Sequence, residues 1–279
     1  MLDRIIQTQT ARVEALATLK RTGRFPPPLP GKRPSFAAAL RKHRPCAIIA
    51  EYKRASPTAG EINMLLSPED AAAMFAGAGA AALSVLTEEI HFRGSTAYLE
   101  RMSGAGLPLL RKDFLVHPLQ VEETAATPAA AILLIARSLP DDTLSAMFAA
   151  ATAAGLECVP EIFDASDLAR VRRCLETTGT RPVIIQVNTR NLQSMRVDAA
   201  ASETLIAQRR KDELWISASG AAQRQDVEKR AALGYDAVLI GTALMAAPDP
   251  GAALAGLLPP SPATCGRPAG RSTAEGSDE

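Results

Sequence analysis

Neither sign of charge is in excess in this chain. Among its 279 residues, 31 lysines and arginines face 30 aspartates and glutamates, a formal net charge of +1. There is therefore no electrostatic footprint for nucleic acid or for an anionic membrane surface. Metal-binding residue types are sparse and badly spaced. Three histidines (His43, His91, His117) and four cysteines (Cys46, Cys158, Cys174, Cys265) make no H-x-x-x-H or C-x-x-C arrangement, which argues against a zinc site and against a disulfide framework. No apolar run approaches the roughly 18–20 residues of a membrane span. The opening MLDRIIQTQT lacks the apolar core of a secretory signal, so the cytoplasm is the expected compartment. A phosphate-cradling G-x-x-x-x-G-K-[ST] sequence is missing as well. Gly77-Ala78-Gly79-Ala80-Ala81-Ala82 fits G-x-G-x-x-A, but its glycines end a helical pattern and lead into a strand. A dinucleotide site needs the opposite order, strand before glycines, so helix capping and tight turning explain this run.

What the chain does have is apolar material in a regular order, with 47% hydrophobic residues. Residues 2–20 carry Leu2, Ile5, Ile6, Val13, Leu16 and Leu19 at helical spacing. The proline-rich stretch Phe25–Gly31 must be extended, and a second short helix is expected from Ser35, its cap, to Arg44. Residues 1–46 thus form an N-terminal helical extension, expected to pack on the mouth of the domain that follows. From 47 to 257, apolar runs at 47–50, 81–86, 107–110, 130–136, 156–159, 182–187, 214–217 and 237–240 alternate with helical patterns at 68–78, 96–103, 117–125, 140–154, 166–176, 199–209, 223–232 and 242–256. Continuous apolar strands suit a parallel sheet buried on both faces. Eight such βα units fit a closed (β/α)8 TIM barrel, with a doubly wound open sheet as the alternative that alternation alone leaves open. Residues 258–279, rich in Pro, Gly and Ser, read as a disordered tail.

The informative polar residues stand where the strands end, which is where a barrel carries its chemistry. The first strand runs into Glu51 and Lys53, two apart and so on one side of the sheet. Lys112 follows the third, Glu161 ends the fifth, and Asn188 ends the sixth with Arg190 just beyond. A charge leaving a strand is ordinarily a solvated loop position. A barrel, however, would bring two lysines and two glutamates together in one partly desolvated pocket suited to acid–base catalysis. Ser219-Gly220 and Gly241-Thr242, after the seventh and eighth strands, are small-residue turns of the kind that bind phosphate through backbone amides; plain turn chemistry is the competing explanation.

IIAEYKRASPTAGEI, ALSVLTEEIHFRGS, LPLLRKDFLVHPLQVEE, AAILLIARSL, VNTRNL, SASG and DAVLIGTALM, in this order, resemble the successive signatures of the indole-3-glycerol phosphate synthase family. The resemblance runs from about residue 2 to residue 256, and the N-terminal helix and connector resemble that family's extra helices. It implies that Lys112 is the general acid of ring closure, and that Lys53 holds the substrate carboxylate and is available as an acid in dehydration. Glu51 and Glu161 match the catalytic glutamates, with the base at each step left open. Asn188 and Arg190 match substrate-site positions, Ser56, Ser219, Gly220, Gly241 and Thr242 the phosphate site, and Phe92, Phe114 and Leu192 the apolar contacts around the anthranilate ring. The implied partner is a small phosphorylated metabolite, 1-(2-carboxyphenylamino)-1-deoxyribulose 5-phosphate, handled without metal or organic cofactor because the arylamine nitrogen is its own electron reservoir. No nucleic acid or membrane is implied, and a monomer or weak homo-oligomer is expected. Three departures stand out. Ala218 replaces a glutamate before the Ser-Gly, Gln186 replaces a glycine two residues before Asn188, and Pro160-Glu161-Ile162-Phe163 differs around the glutamate, where the family tends to have valine and histidine. They keep two other readings open: a paralogue acting on a related phosphorylated amino sugar, and a catalytically weak phosphate-metabolite-binding protein.

Overall fold

The computed structural model describes residues 2–43, 45–188 and 199–258; Arg190, Leu192 and the tail beyond residue 258 lie outside the described residues. Eight parallel strands close into a barrel: β1 (Ala47–Tyr52), β2 (Ala82–Leu86), β3 (Leu109–Lys112), β4 (Ala131–Ile135), β5 (Glu157–Ile162), β6 (Ile184–Asn188), β7 (Leu214–Ala218) and β8 (Ala237–Ile240). Closure comes from β8, which pairs with β1 through Ala47↔Ala237 to Ala50↔Ile240. The open doubly wound sheet is thereby excluded. Alternate residues divide the apolar material as the pleat demands. Ile49, Leu110, Leu133, Ile184, Ile216 and Leu239 fill the barrel, while Ile132, Leu134 and Trp215 on one side, and Leu83 and Val85 on the other, face the surrounding helices.

The α-helices of the described residues are α1 (Leu2–Arg21), α2 (Phe36–Lys42), α3 (Pro68–Gly77), α4 (Ala97–Met102), α5 (Pro118–Ala125), α6 (Asp141–Ala153), α7 (Ala165–Thr178), α8 (Ala199–Ile206), α9 (Arg224–Leu233), α10 (Thr242–Met245) and α11 (Pro250–Leu257), and several begin where a cap stands. Pro68 opens α3 (Pro68–Gly77) behind Ser67, whose side chain accepts from the Asp70 amide. His117 caps α5 (Pro118–Ala125) with Gln120 returning the bond, and Asp164 caps α7 (Ala165–Thr178). The single helix expected over 242–256 is two: α10 (Thr242–Met245) and α11 (Pro250–Leu257). Pro250 has no amide hydrogen to continue a helix, and Asp249 caps a new one by accepting from Ala252 at 2.9 Å.

The N-terminal segment divides between the two ends of the barrel. In α1 (Leu2–Arg21), Gln9 accepts from Gln120 of α5 at 3.0 Å and Arg12 bonds Glu123 at 2.9 Å, and Ile5 reaches the cavity at the carboxyl ends of the strands. In contrast, α2 (Phe36–Lys42) plugs the amino-terminal end. Its Phe36, Ala37 and Leu40 join the barrel interior, and the amides of Phe36 and Ala37 donate to Glu157, the first residue of β5, at 3.1 and 2.8 Å. The mouth thus receives α1, and α2 lies at the opposite pole.

Phe36 is fully buried, and it closes the barrel far from the mouth. Phe36→Ala should lower unfolding stability by about 3–5 kcal/mol through lost burial and a residual cavity, read as a lower denaturant midpoint. Ligand affinity at the opposite end should be retained.

Candidate active site

Glu51 is the central residue of the mouth. It is buried on β1, beside Ser84 of β2, whose hydroxyl donates to Oε2 at 3.4 Å. Lys53 Nζ stands 3.2 Å from Oε1 and Lys112 Nζ 3.4 Å from Oε2, so one carboxylate holds two ammonium groups from different strands. Gly241 passes directly over it. A Cβ there would collide with Glu51 Oε1 and lie 3.0 Å from its Cδ, so glycine is what allows β8 to turn across the carboxylate. Burial alone would push the Glu51 carboxyl up, but Lys112 and Lys53 outweigh it and hold it below its ordinary 4.5. Burial pushes the Lys112 ammonium down, and the charges of Glu51 and Glu161 outweigh that, keeping it above its ordinary 10.5.

Around this pair opens a cavity of about 480 Å³. Of the residues singled out from the sequence, the structure brings twelve to its walls: Glu51, Lys53, Ser56, Phe92, Lys112, Phe114, Glu161, Asn188, Ser219, Gly220, Gly241 and Thr242. Phe92 and Phe114 face each other with ring centroids 5.9 Å apart, forming an apolar wall beside the lysines. Across the mouth, Ser219 donates to Asn188 Oδ1 at 3.2 Å. Ser219 and Gly220 both take the left-handed conformation, with φ of 72° and 78°. For serine that backbone costs roughly 1–2 kcal/mol, and strain of this kind gathers at ligand-holding turns. Ser56 sits in a short hairpin, Ala55–Ser56 against Gly60–Glu61. The loop carrying this hairpin is held by Tyr52 donating to Leu66 O at 2.8 Å and by Asn63 donating to Met245 O at 3.2 Å.

Several supporting residues escaped the sequence reading. Arg111, fully buried, points away from the cavity. It donates to Glu123 at 2.9 Å, Thr124 at 2.8 Å and Asp113 at 3.0 Å, and through Nε to Thr87 at 3.2 Å. Asp113 in turn accepts from the Phe114 amide at 2.8 Å. Lys112 is therefore flanked on both sides by residues pinned to α5 and to Thr87 just past β2. Glu88 does the same for Phe92, accepting from the amides of His91 and Phe92 at 2.7 and 3.0 Å. The available signal was Arg111 itself, a charge in an otherwise apolar strand and one residue out of phase with Lys112.

A closed barrel with acids and bases gathered at the carboxyl ends of its strands is the architecture of a TIM-barrel enzyme. Over residues 2–257 the sequence matches the family described as indole-3-glycerol phosphate synthase, and the chain belongs to that family. Proteins named indole-3-glycerol phosphate synthase from Opitutus terrae and Desulfosudis oleivorans are similar to it. The first is 42% identical over 231 residues, covering 80% of this chain and 85% of that protein; the second is 38% identical over 256 residues, covering 89% and 95%. In fold it is similar to a 3-hexulose-6-phosphate synthase from Salmonella typhimurium (TM-score 0.58, 20% identity, 76% of this chain and 96% of that one). It is also similar to a mutant tryptophan synthase α-subunit from Pyrococcus furiosus (TM-score 0.58, 13% identity, 76% and 97%). No described helix is long and apolar enough to cross a membrane.

The two shifts give a pH signature of stability. A carboxyl held low stabilises the fold above its ordinary value and loses that contribution as pH falls through its folded value. An ammonium held high stabilises the fold below its ordinary value and loses that contribution as pH rises through its folded value. The gap in thermal midpoint between the parent and Glu51→Gln should therefore be widest above pH 4.5 and through neutral pH, narrow as pH falls below 4.5, and narrow again as pH approaches and passes 10.5, because Lys112 without Glu51 gives up its proton more readily. A gap that changes steadily across neutral pH would show that the pair does not titrate this way.

Proposed function

We propose that this protein is a carboxy-lyase that closes the indole ring of 1-(2-carboxyphenylamino)-1-deoxyribulose 5-phosphate, releasing carbon dioxide and water to give indole-3-glycerol phosphate, a step of tryptophan biosynthesis carried out in the cytoplasm. The observation that carries this reading is Glu51 held between Lys53 and Lys112 at the wall of a cavity that also holds Glu161 and two phenylalanine rings tilted against each other, in a chain of this family.

The chemistry maps onto the residues as follows. The ring carbon bearing the carboxylate attacks the ketone carbon, forming the new carbon–carbon bond while the ketone oxygen gains negative charge. Lys112, kept protonated by Glu51 and Glu161, delivers a proton to that oxygen. Lys53 seats the carboxylate, whose carbon–carbon bond then breaks to release carbon dioxide and return the electron pair to the ring system. The hydroxyl formed at the former ketone leaves with a proton as water, and a glutamate accepts the proton lost from the adjacent carbon as the double bond forms. The phenylalanine pair provides an apolar slot for the aryl ring. Ser56 and the turns at Ser219-Gly220 and Gly241-Thr242 provide hydroxyl and amide donors for the phosphate. Ala218, on the same wall as Asn188, offers no polar side chain, so Glu161 is the carboxylate available on that side.

Lys112→Ala removes a positioned proton donor, an effect worth about 10²–10⁴-fold in turnover. Indole fluorescence from purified protein and the carboxyphenylamino-deoxyribulose phosphate measures it. Near-parental turnover in the variant would take Lys112 out of the mechanism.

A further inference from the structure

Beneath the cavity wall lies a polar contact that the reaction as described does not use. Gln186 of β6 is completely buried, and its Nε2 donates to Glu161 Oε2 at 2.6 Å. The two residues are register partners on neighbouring strands, Glu161↔Gln186, and both point into the barrel. On the far side of each, the neighbour at the same level is apolar: Ile135 on β4 beside Glu161, and Ile216 on β7 beside Gln186. Two residues nearer the mouth, β7 offers Ala218. The donor for Oε2 at this level of the barrel is therefore the Gln186 amide.

The other end of the same amide is informative. Gln186 Oε1 is buried and has no hydrogen-bond partner among the described residues. An amide kept for the fold would be expected to satisfy both ends, since a buried unpaired carbonyl is destabilising. Leucine or methionine would fill this place without an orphaned oxygen. The sequence has accepted a local conflict of the kind found at functional sites, and the one bond Gln186 makes goes to a residue that lines the cavity.

We propose that Gln186 is a positioning residue that fixes the Glu161 carboxylate. Its charge-assisted bond holds Oε2 against the barrel floor and leaves Oε1 presented to the cavity, opposite Lys112. The amide carries no charge, so it orients Glu161 without competing with Lys112 for it. This role rests on the indole-forming reading above.

Gln186→Met tests it, because methionine keeps the length and volume and loses both the donor and the orphaned oxygen. The expected result is a split: kcat falls by about tenfold, the loss of one oriented hydrogen bond to a charged group, while KM stays within about twofold and the thermal midpoint is unchanged or higher. A residue of purely structural importance would instead lower the midpoint and leave kcat per folded molecule alone. The second measurement is a double-mutant cycle with Glu161→Gln. If Gln186 acts through Glu161, adding Gln186→Met to that variant should cost less than about twofold, because coupled neighbours are not additive. An active parent whose kcat is unmoved by Gln186→Met, or a full tenfold loss in the Glu161→Gln background, overturns the proposal alone. A parent with no indole-forming activity overturns the reading of function and this role with it.

Discussion

Everything at the mouth of this barrel depends on keeping one carboxylate charged inside it. Glu51 is buried on β1 beneath the turn at Gly241, where water cannot compensate its charge and an isolated ion would be strongly disfavoured. Two ammonium groups provide the compensation, from Lys53 on its own chain segment and from Lys112 across β2. The same interaction does the reverse service for Lys112, since a desolvated ammonium would otherwise lose its proton more easily. An acid that must deliver a proton in a low-dielectric site needs to hold it first, and the electrostatics of the group secure this before any substrate enters.

That arrangement is only as good as the loops that deliver it. Lys112 is the last residue of β3, and nothing in its own side chain fixes where the strand ends. The residue before it does: Arg111, pointing outward, is held by Glu123 and Thr124 of α5, by Thr87 just past β2 and by Asp113 of its own loop, and Asp113 closes the loop on the Phe114 amide. A buried arginine with every partner in place defines one conformation, because any other leaves a charge unpaired. Glu123, which Arg111 holds from inside, is held from outside by Arg12 of α1. The N-terminal helix thus bears on the same network that sets Lys112, while α2, at the other end, serves the core.

Much of this was legible because strands buried on both faces leave a plain mark in sequence, short apolar runs between amphipathic helices, and all eight runs overlap the eight strands. The residues at the strand ends were legible for the same reason, since a barrel leaves those positions a single place to converge. What resisted reading lay outside periodicity. The hairpin around Ser56 is two residues per strand, too short for a pattern. The break between α10 and α11 needed Pro250 weighed against the apolar residues on either side of it. The placement of α2 at the amino-terminal pole depended on Glu157, more than a hundred residues away, accepting its first amides. By residue type alone Arg111 is an ordinary strand-end charge; its partners on α5 and beside β2 set it apart only in the fold.

The two sides of the mouth are unequally constrained. On the β1–β2–β3 side each functional group is locked by several others: Glu51 by two lysines, Ser84 and the close pass of Gly241, and Lys112 by the Arg111 network. A substitution there would leave a buried charge unpaired or force β8 away. On the opposite side, Gln186 makes one bond and leaves one oxygen idle, and Ala218 presents only a methyl group to the cavity. Among the described residues the Glu161 carboxylate accepts from the uncharged Gln186 amide, whereas Glu51 stands between two ammonium groups, so the two glutamates meet the cavity under different electrostatic constraint.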